Sequence, residues 1–304
     1  MTKSTIHTCI LLLIVLTLLF TRQYWTKGAI EYSIATLGIL FAGIPHGALD
    51  HITASYIEGK KFRLSHYLFR YSLSAILYLV VWLLFPGVAL LLFILLTAWH
   101  FGETDLICFT SKKIPAFMIF IYGFCLLMWL LMKDTGITLQ WIRTIAGKQE
   151  YVEVIVNGLS AVPLLLWFIF SAIIILAGAA SDKTKWPGTG VFLCFLFTAV
   201  YTSLILGFIL YFTAWHSMQA LQHIRFSVFR DTGLKKLLLY MLPATLGSFL
   251  IFLIIVNYGK EEWLQSSSLP SLFILLSVLT LPHMAQMHKL YTVIFTDAGK
   301  NKSV

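Results

Sequence analysis

The sequence predicts an all-α protein, a polytopic transmembrane helix bundle of about ten spans (8–10) with both termini cytoplasmic. Three observations predict it. Of the 304 residues, 59% are hydrophobic and only 12% are charged, roughly half the charged share of an average soluble domain. Mean hydropathy is +0.86. The apolar residues fall in runs that reach the ~20 residues a helix needs to cross a bilayer. These runs occupy nearly the whole length, so 1–304 reads as a single integral membrane domain.

The spans follow in order. The first apolar run starts after Lys3 and reaches Phe20. It imitates a secretory signal, but no small-x-small cleavage motif follows, so an uncleaved span at 5–21 is expected. The second, 31–54, contains Pro45 and therefore a kink. Spans at 64–84, 88–108 and 114–132 come next. The longest loop, 133–159, reads around Lys148 and Glu150 as a solvated amphipathic segment. After a span at 160–180, the stretch from Val191 to Trp215 is too long for one helix. A break near Leu206-Gly207 divides it into 189–204 and 206–226, and the last spans are 236–257 and 268–290.

Charge sets the orientation. With ten spans, one side of the membrane gathers most of the 22 bases, including Lys3, Lys60, Lys61, Lys112, Lys113, Arg230 and Lys302. The other side holds Arg22, Lys27, Lys133, Arg143, Lys148 and Lys260. Bases accumulate on the cytoplasmic side, which places both termini there. The net charge of +9 thus reports topology; no basic stripe or binding motif points to nucleic acid, and the lipid bilayer is the expected partner. The four cysteines, Cys9, Cys108, Cys125 and Cys194, are scattered in apolar segments without a C-x-x-C pair and read as small hydrophobes.

Four polar islands interrupt the apolar runs: Pro45-His46-Gly47 with Asp50-His51, Trp99-His100-Phe101-Gly102 with Glu103 and Asp105, Trp215-His216-Ser217 with His223, and Pro282-His283-Met284 with His288. They close spans 2, 4, 8 and 10, all running from outside to inside, so they share a depth. Imidazole and carboxylate are costly inside a membrane and persist there when they pair, bind metal or line a cavity. Four helices that deliver histidine to one depth meet the requirement of a metal site in a bundle. A lone histidine has an ordinary reading, a hydrogen bond to a neighbouring helix; His7 and His66, without polar companions, read that way.

Within the islands, the Pro45 kink aims His46 inward, and Asp50 at i+4 is placed to hold its ring. His51 is expected to steady the ligands or face the substrate. Glu103, at i+3 from His100, shares its face, whereas Asp105 is expected near the interface, solvated. His216 and His223 lie seven residues apart, about 10 Å along a helix, so one is the ligand and the other a neighbour, with the deeper His216 preferred. His288 is expected to be solvated. Imidazole-only ligands suit iron, zinc or copper. The absence of H-E-x-x-H disfavours a zinc protease, and the dense histidine boxes of membrane di-iron hydroxylases are missing too. A bis-His haem electron-transfer protein stays open, as does a transporter with an intramembrane polar site, although no two-half symmetry is evident. Trp99, Phe101 and Trp215 would wall the site for a long apolar substrate.

These motifs resemble the Brp/Blh family of bacterial and archaeal membrane β-carotene dioxygenases, over roughly residues 35 to 290. The resemblance implies a non-haem Fe(2+) enzyme of a prokaryotic cytoplasmic (inner) membrane, which uses O2 to split the central double bond of β-carotene into two all-trans-retinal. It implies His46, His100 and His216 as iron ligands, with a fourth from the third island. Family members commonly carry a second histidine four residues after the first in that island, where this chain has Ala220. His223 is the expected substitute and His283 the alternative fourth ligand. Retinal output would suit a cell that also makes a rhodopsin as acceptor.

Overall fold

Backbone amides in an apolar medium are satisfied within a helix or a closed barrel, and every element among the described residues is a helix. The computed structural model describes residues 28–110, 114–229, 234–258 and 269–300, with a few positions between 10 and 20; at 28–29, 234, 255–256, 258 and 295–300 it describes backbone alone. Most of the expected first span and the bases Lys3, Arg22, Lys27, Lys112, Lys113, Arg230, Lys260 and Lys302 lie outside the described residues.

Helix α1 (Gly28–Gly38) continues through a π-helical turn, Ile39–Gly43, into a last short turn, Ile44–His46. After the turn at 47–49 the chain resumes as α2 (Asp50–Glu58). Helices α3 (Leu64–Leu84) and α4 (Pro86–Phe109) are separated by Phe85 alone, and Pro86 opens α4, a position where its missing N–H costs nothing. Helices α5 (Ala116–Leu131) and α6 (Thr135–Ala146) follow, the latter capped by Asp134, which accepts the Ile137 N–H at 3.0 Å. The amphipathic segment expected in the long loop is helical: α7 (Glu150–Ser160) pairs its Glu153 with Arg143 at 2.8 Å and bends by 75° into α8 (Leu164–Ala179). Helix α9 (Trp186–Ala199) leads to α10 (Leu204–Ile209), which passes through a second π-helical turn, Leu210–His216, into α11 (Ser217–Val228). Helices α12 (Leu234–Tyr258) and α13 (Leu269–Lys300) complete the bundle.

Seven helical segments among the described residues are long and apolar enough to cross a membrane, or eight if the bent α7–α8 pair is one span. The expected span at 189–204 is realised as a helix of only 14 residues, about 21 Å long, short of a hydrocarbon core of ~30 Å. The break after it falls at 200–203, upstream of the expected Leu206-Gly207. Ser203 caps the new helix by accepting the Leu206 N–H at 3.2 Å, and its hydroxyl donates to Glu31. Gly207 sits inside that helix because it packs closely there: a Cβ would lie 2.9 Å from the Ala199 carbonyl oxygen.

Helix α4 is the hub, packed against α3, α5 and α13. Its contact with α5 is backbone on backbone. A Cβ at Gly102 would meet the Ile119 carbonyl oxygen at 2.1 Å, and one at Gly123 the Ala98 oxygen at 1.8 Å. Small residues allow such close crossing of membrane helices. The share of the apolar window that is buried is 61% in α4 but 17% in both α3 and α12, so the latter two form the lipid-facing periphery.

Candidate metal centre

Two π-helical turns present histidines to the bundle axis. A π-helical turn inserts one residue into an α-helix and redirects the side chains that follow. The first, Ile39–Gly43, precedes His46; the second, Leu210–His216, ends on His216. The two turns face each other, and Gly43 makes room for that, since a Cβ there would lie 2.6 Å from the Phe212 ring. His100 projects from the middle of α4, and His283 from α13 immediately after Pro282.

The four rings close on one another. Ring centroids are 5.6 Å apart for His46 and His216, 4.9 Å for His216 and His100, 5.0 Å for His100 and His283, and 4.6 Å for His283 and His46. One nitrogen from each of His46, His100 and His216 lies within 4.8 Å of the others, and all three residues are buried. Gly47 makes space for the fourth ring: a Cβ there would come within 3.2 Å of His283 Nδ1.

Hydrogen bonds orient two of the rings. His46 Nδ1–H donates to the Gly43 carbonyl, with the Ser217 hydroxyl 3.4 Å away, which leaves Nε2 for an ion. His283 Nδ1–H donates to both Asp50 oxygens at 2.9 Å, and its Nε2 is buried without a hydrogen-bond partner. Both nitrogens of His100 and both of His216 are likewise buried and unpartnered. An unsatisfied buried polar atom costs about 1–3 kcal/mol, and an ion accepting lone pairs from these rings removes much of that cost. The donor set therefore fits a metal, and the Asp50–His283 pair is the usual carboxylate support of a ligating imidazole.

Asp50 was expected to hold His46. The structure corrects this, because the turn at 47–49 interrupts the helix and the i+4 relation does not apply. Asp50 reaches across to α13 instead and also lies 3.5 Å from the Tyr71 hydroxyl. His51 lines the cavity beside His46 and His283. Asp105, expected to be solvated, is fully buried. It accepts from Tyr211 Oη at 2.7 Å, Tyr122 Oη at 2.8 Å and Trp215 Nε1 at 3.0 Å, which ties α4 to the π turn that carries His216. Phe101 packs 4.3 Å from the His216 ring. Glu103 accepts from His288 Nδ1 at 2.5 Å, while Trp99 sits 6.1 Å from the His288 ring. His288 is half exposed.

His223 is not brought to the trio: its Nε2 lies 3.6 Å from Cys108 Sγ and its Nδ1 3.5 Å from the Tyr291 hydroxyl. Ala220 is fully buried, in an apolar cluster that includes Ala48, Leu49 and Met287. Sequence reasoning missed Ser217 and Tyr71. Ser217 was signalled by its place beside His216, but nothing in the peripheral helix α3 distinguished Tyr71.

Two cavities approach the centre. One, of about 170 Å³, is lined by Leu90, Phe93, Met128, Phe273 and Leu276, and by Thr97, one turn before His100. The other, of about 450 Å³, contains His46, Asp50 and His283 and shares Leu276.

A family model described as "Beta-carotene 15,15'-dioxygenase" matches residues 37–291, a stretch that begins just before the first π turn and ends after His283. A curated protein from an uncultured marine bacterium (66A03), named "Beta-carotene 15,15'-dioxygenase", is 27% identical over 257 residues, 81% of this chain and 89% of the relative. No solved structure matches the chain. With the family model spanning all four clustered histidines and most of the helices that carry them, the chain belongs to the β-carotene 15,15'-dioxygenase family.

Proposed function

We propose that the protein is a non-haem iron dioxygenase of a prokaryotic cytoplasmic membrane that converts β-carotene and O2 into two all-trans-retinal. The observation that carries the reading is the buried cluster of four imidazoles with five unpartnered nitrogen atoms among His100, His216 and His283. His46, His100, His216 and His283 would hold Fe(2+), with His283 in place of His223. Neutral imidazoles suit iron, and the bound iron supplies the redox chemistry that activates O2.

The chain's own residues do the rest. The Gly43 carbonyl and Asp50 hold two rings by their Nδ1–H groups and keep them from rotating. Phe101 and Phe212 pack against the imidazoles and exclude water. The apolar cavity beyond Thr97 takes one half of a hydrocarbon that has no polar handle, so the depth of that cavity positions the central double bond. The balance is simple: one O2 adds across one C=C bond, and each carbon leaves as an aldehyde. A bis-His haem is disfavoured because the four rings pack against one another and leave no slot for a porphyrin.

The test is expression in a bacterial strain that accumulates β-carotene. Colour is lost and retinal appears in the extract, and His100→Ala abolishes both. Retained β-carotene alongside folded, iron-loaded protein sinks the assignment.

A further inference from the structure

The larger cavity has a buried polar floor and an exposed apolar rim. His46, Asp50 and His283 at its floor are 5%, 2% and 4% exposed. Its walls come from two helices, Leu68, Ser72, Ala75 and Ile76 on α3 facing Ala244, Gly247, Ser248 and Ile251 on α12. The rim residues Leu68, Ile76 and Ile251 are 50%, 57% and 45% exposed. Helix α12 packs on α13 and on the Ile44–His46 turn, and α3 packs on α13, α4 and α2, but the two helices make no extensive contact with each other. Among the described residues, Asp50 is the only Asp, Glu, Lys or Arg in the lining, and it is paired with His283.

Depth decides what this opening faces. Leu68 to Ile76 lie about 6–18 Å along α3 from Leu64, and Ala244 about 15 Å into α12. The bases Lys61 and Arg63, and Lys235 and Lys236, mark the polar ends from which those distances run. The rim therefore lies within the hydrocarbon layer, at helices whose surfaces are the least buried of the spans.

We propose that the metal centre opens sideways into the bilayer between α3 and α12, and that a long apolar polyene dissolved in the membrane enters through this mouth. The identity of the ligand rests on the function proposed above; the opening itself does not. The small side chains on the facing walls keep the gap wide, and a Cβ at Gly247 meets nothing within 4 Å. A polyene end can pass between the helices without crossing a charged or water-filled vestibule, and Tyr71 and His51 line its passage toward the imidazoles.

Two measurements test this. Benzoylphenylalanine at position 247, activated in vesicles, forms adducts with lipid acyl chains, as does the same residue at position 250 on the outer face of α12, where Leu250 is 60% exposed. Absence of adducts at 247 with adducts at 250 overturns the opening. Gly247→Trp, placed where an added Cβ meets nothing within 4 Å, narrows the mouth and lowers kcat/KM for vesicle-dissolved β-carotene at least about tenfold, with iron content and melting temperature unchanged. Gly190→Trp, likewise set in open space, leaves activity at the parent level. Adducts at 247 with full activity in Gly247→Trp show an acyl-chain groove and overturn the access route. A parent chain that is iron-loaded yet makes no retinal sinks the proposed function, while adducts at 247 still decide the opening.

Discussion

His283 and His223 differ in what their second nitrogen does. In His283, Nδ1 is committed to Asp50 and Nε2 is buried with no partner, so the ring is oriented and its lone pair is unspent. In His223 both nitrogens lie near other side chains, Cys108 and Tyr291. His283→Ala is expected to lose iron, whereas His223→Ala keeps it, as read by iron per chain in purified protein. Equal iron in both variants contradicts the assignment. Asp50→Asn removes the carboxylate that holds the ring and is expected to weaken iron affinity about 10–100-fold, measured by titration with Fe(2+) under anaerobic conditions. All four clustered histidines stood out in the sequence because each sits at the end of an apolar run with polar company, His283 as the alternative fourth ligand. The weight on His223 came from its place in the same island as His216, and spacing along one helix says nothing about which neighbours from other helices already occupy a ring.

Elements show the same division. The glycine in Trp99-His100-Phe101-Gly102 reads in sequence as part of a motif; in the structure it is where α4 and α5 touch backbone to backbone. A methyl at Gly123 cannot be absorbed by a flexible side chain, because the atom it meets is the Ala98 carbonyl oxygen. Gly123→Ala is expected to cost about 1–3 kcal/mol and, by pushing α5 from α4, to displace His100 from its neighbours. Lower melting temperature together with reduced iron content checks this; a variant with parental values in both refutes the packing role. The π turns were not foreseeable from periodicity, since their register depends on partners such as Phe212 and on the Trp215–Asp105 hydrogen bond across to α4.

For the whole molecule, the centre lies where five segments converge: α1 through its π turn, α2 through Asp50, α4, α10 through its π turn, and α13. A metal that binds only the converged state stabilises it by mass action, about 2.7 kcal/mol when free metal exceeds Kd a hundredfold. Removal of iron with a chelator is therefore expected to lower the melting temperature, and re-addition of Fe(2+) to restore it. Identical melting with and without iron is the outcome that excludes a metal bridging these helices.

The sequence by itself determined that the chain is a helical membrane protein, that its polar chemistry is concentrated in four histidine islands, and which family its motifs resemble. Those properties are local or cumulative: hydropathy summed over a run, a residue type at a position, an order of motifs. Tertiary structure alone decided that Asp50 serves His283 and not His46, that Asp105 is buried under three donors, that the helix break precedes Ser203, and that a gap lies between α3 and α12. Each of these depends on what a distant helix places opposite a given side chain. In a medium that supplies no water to a polar group, that opposing partner settles where the group can lie.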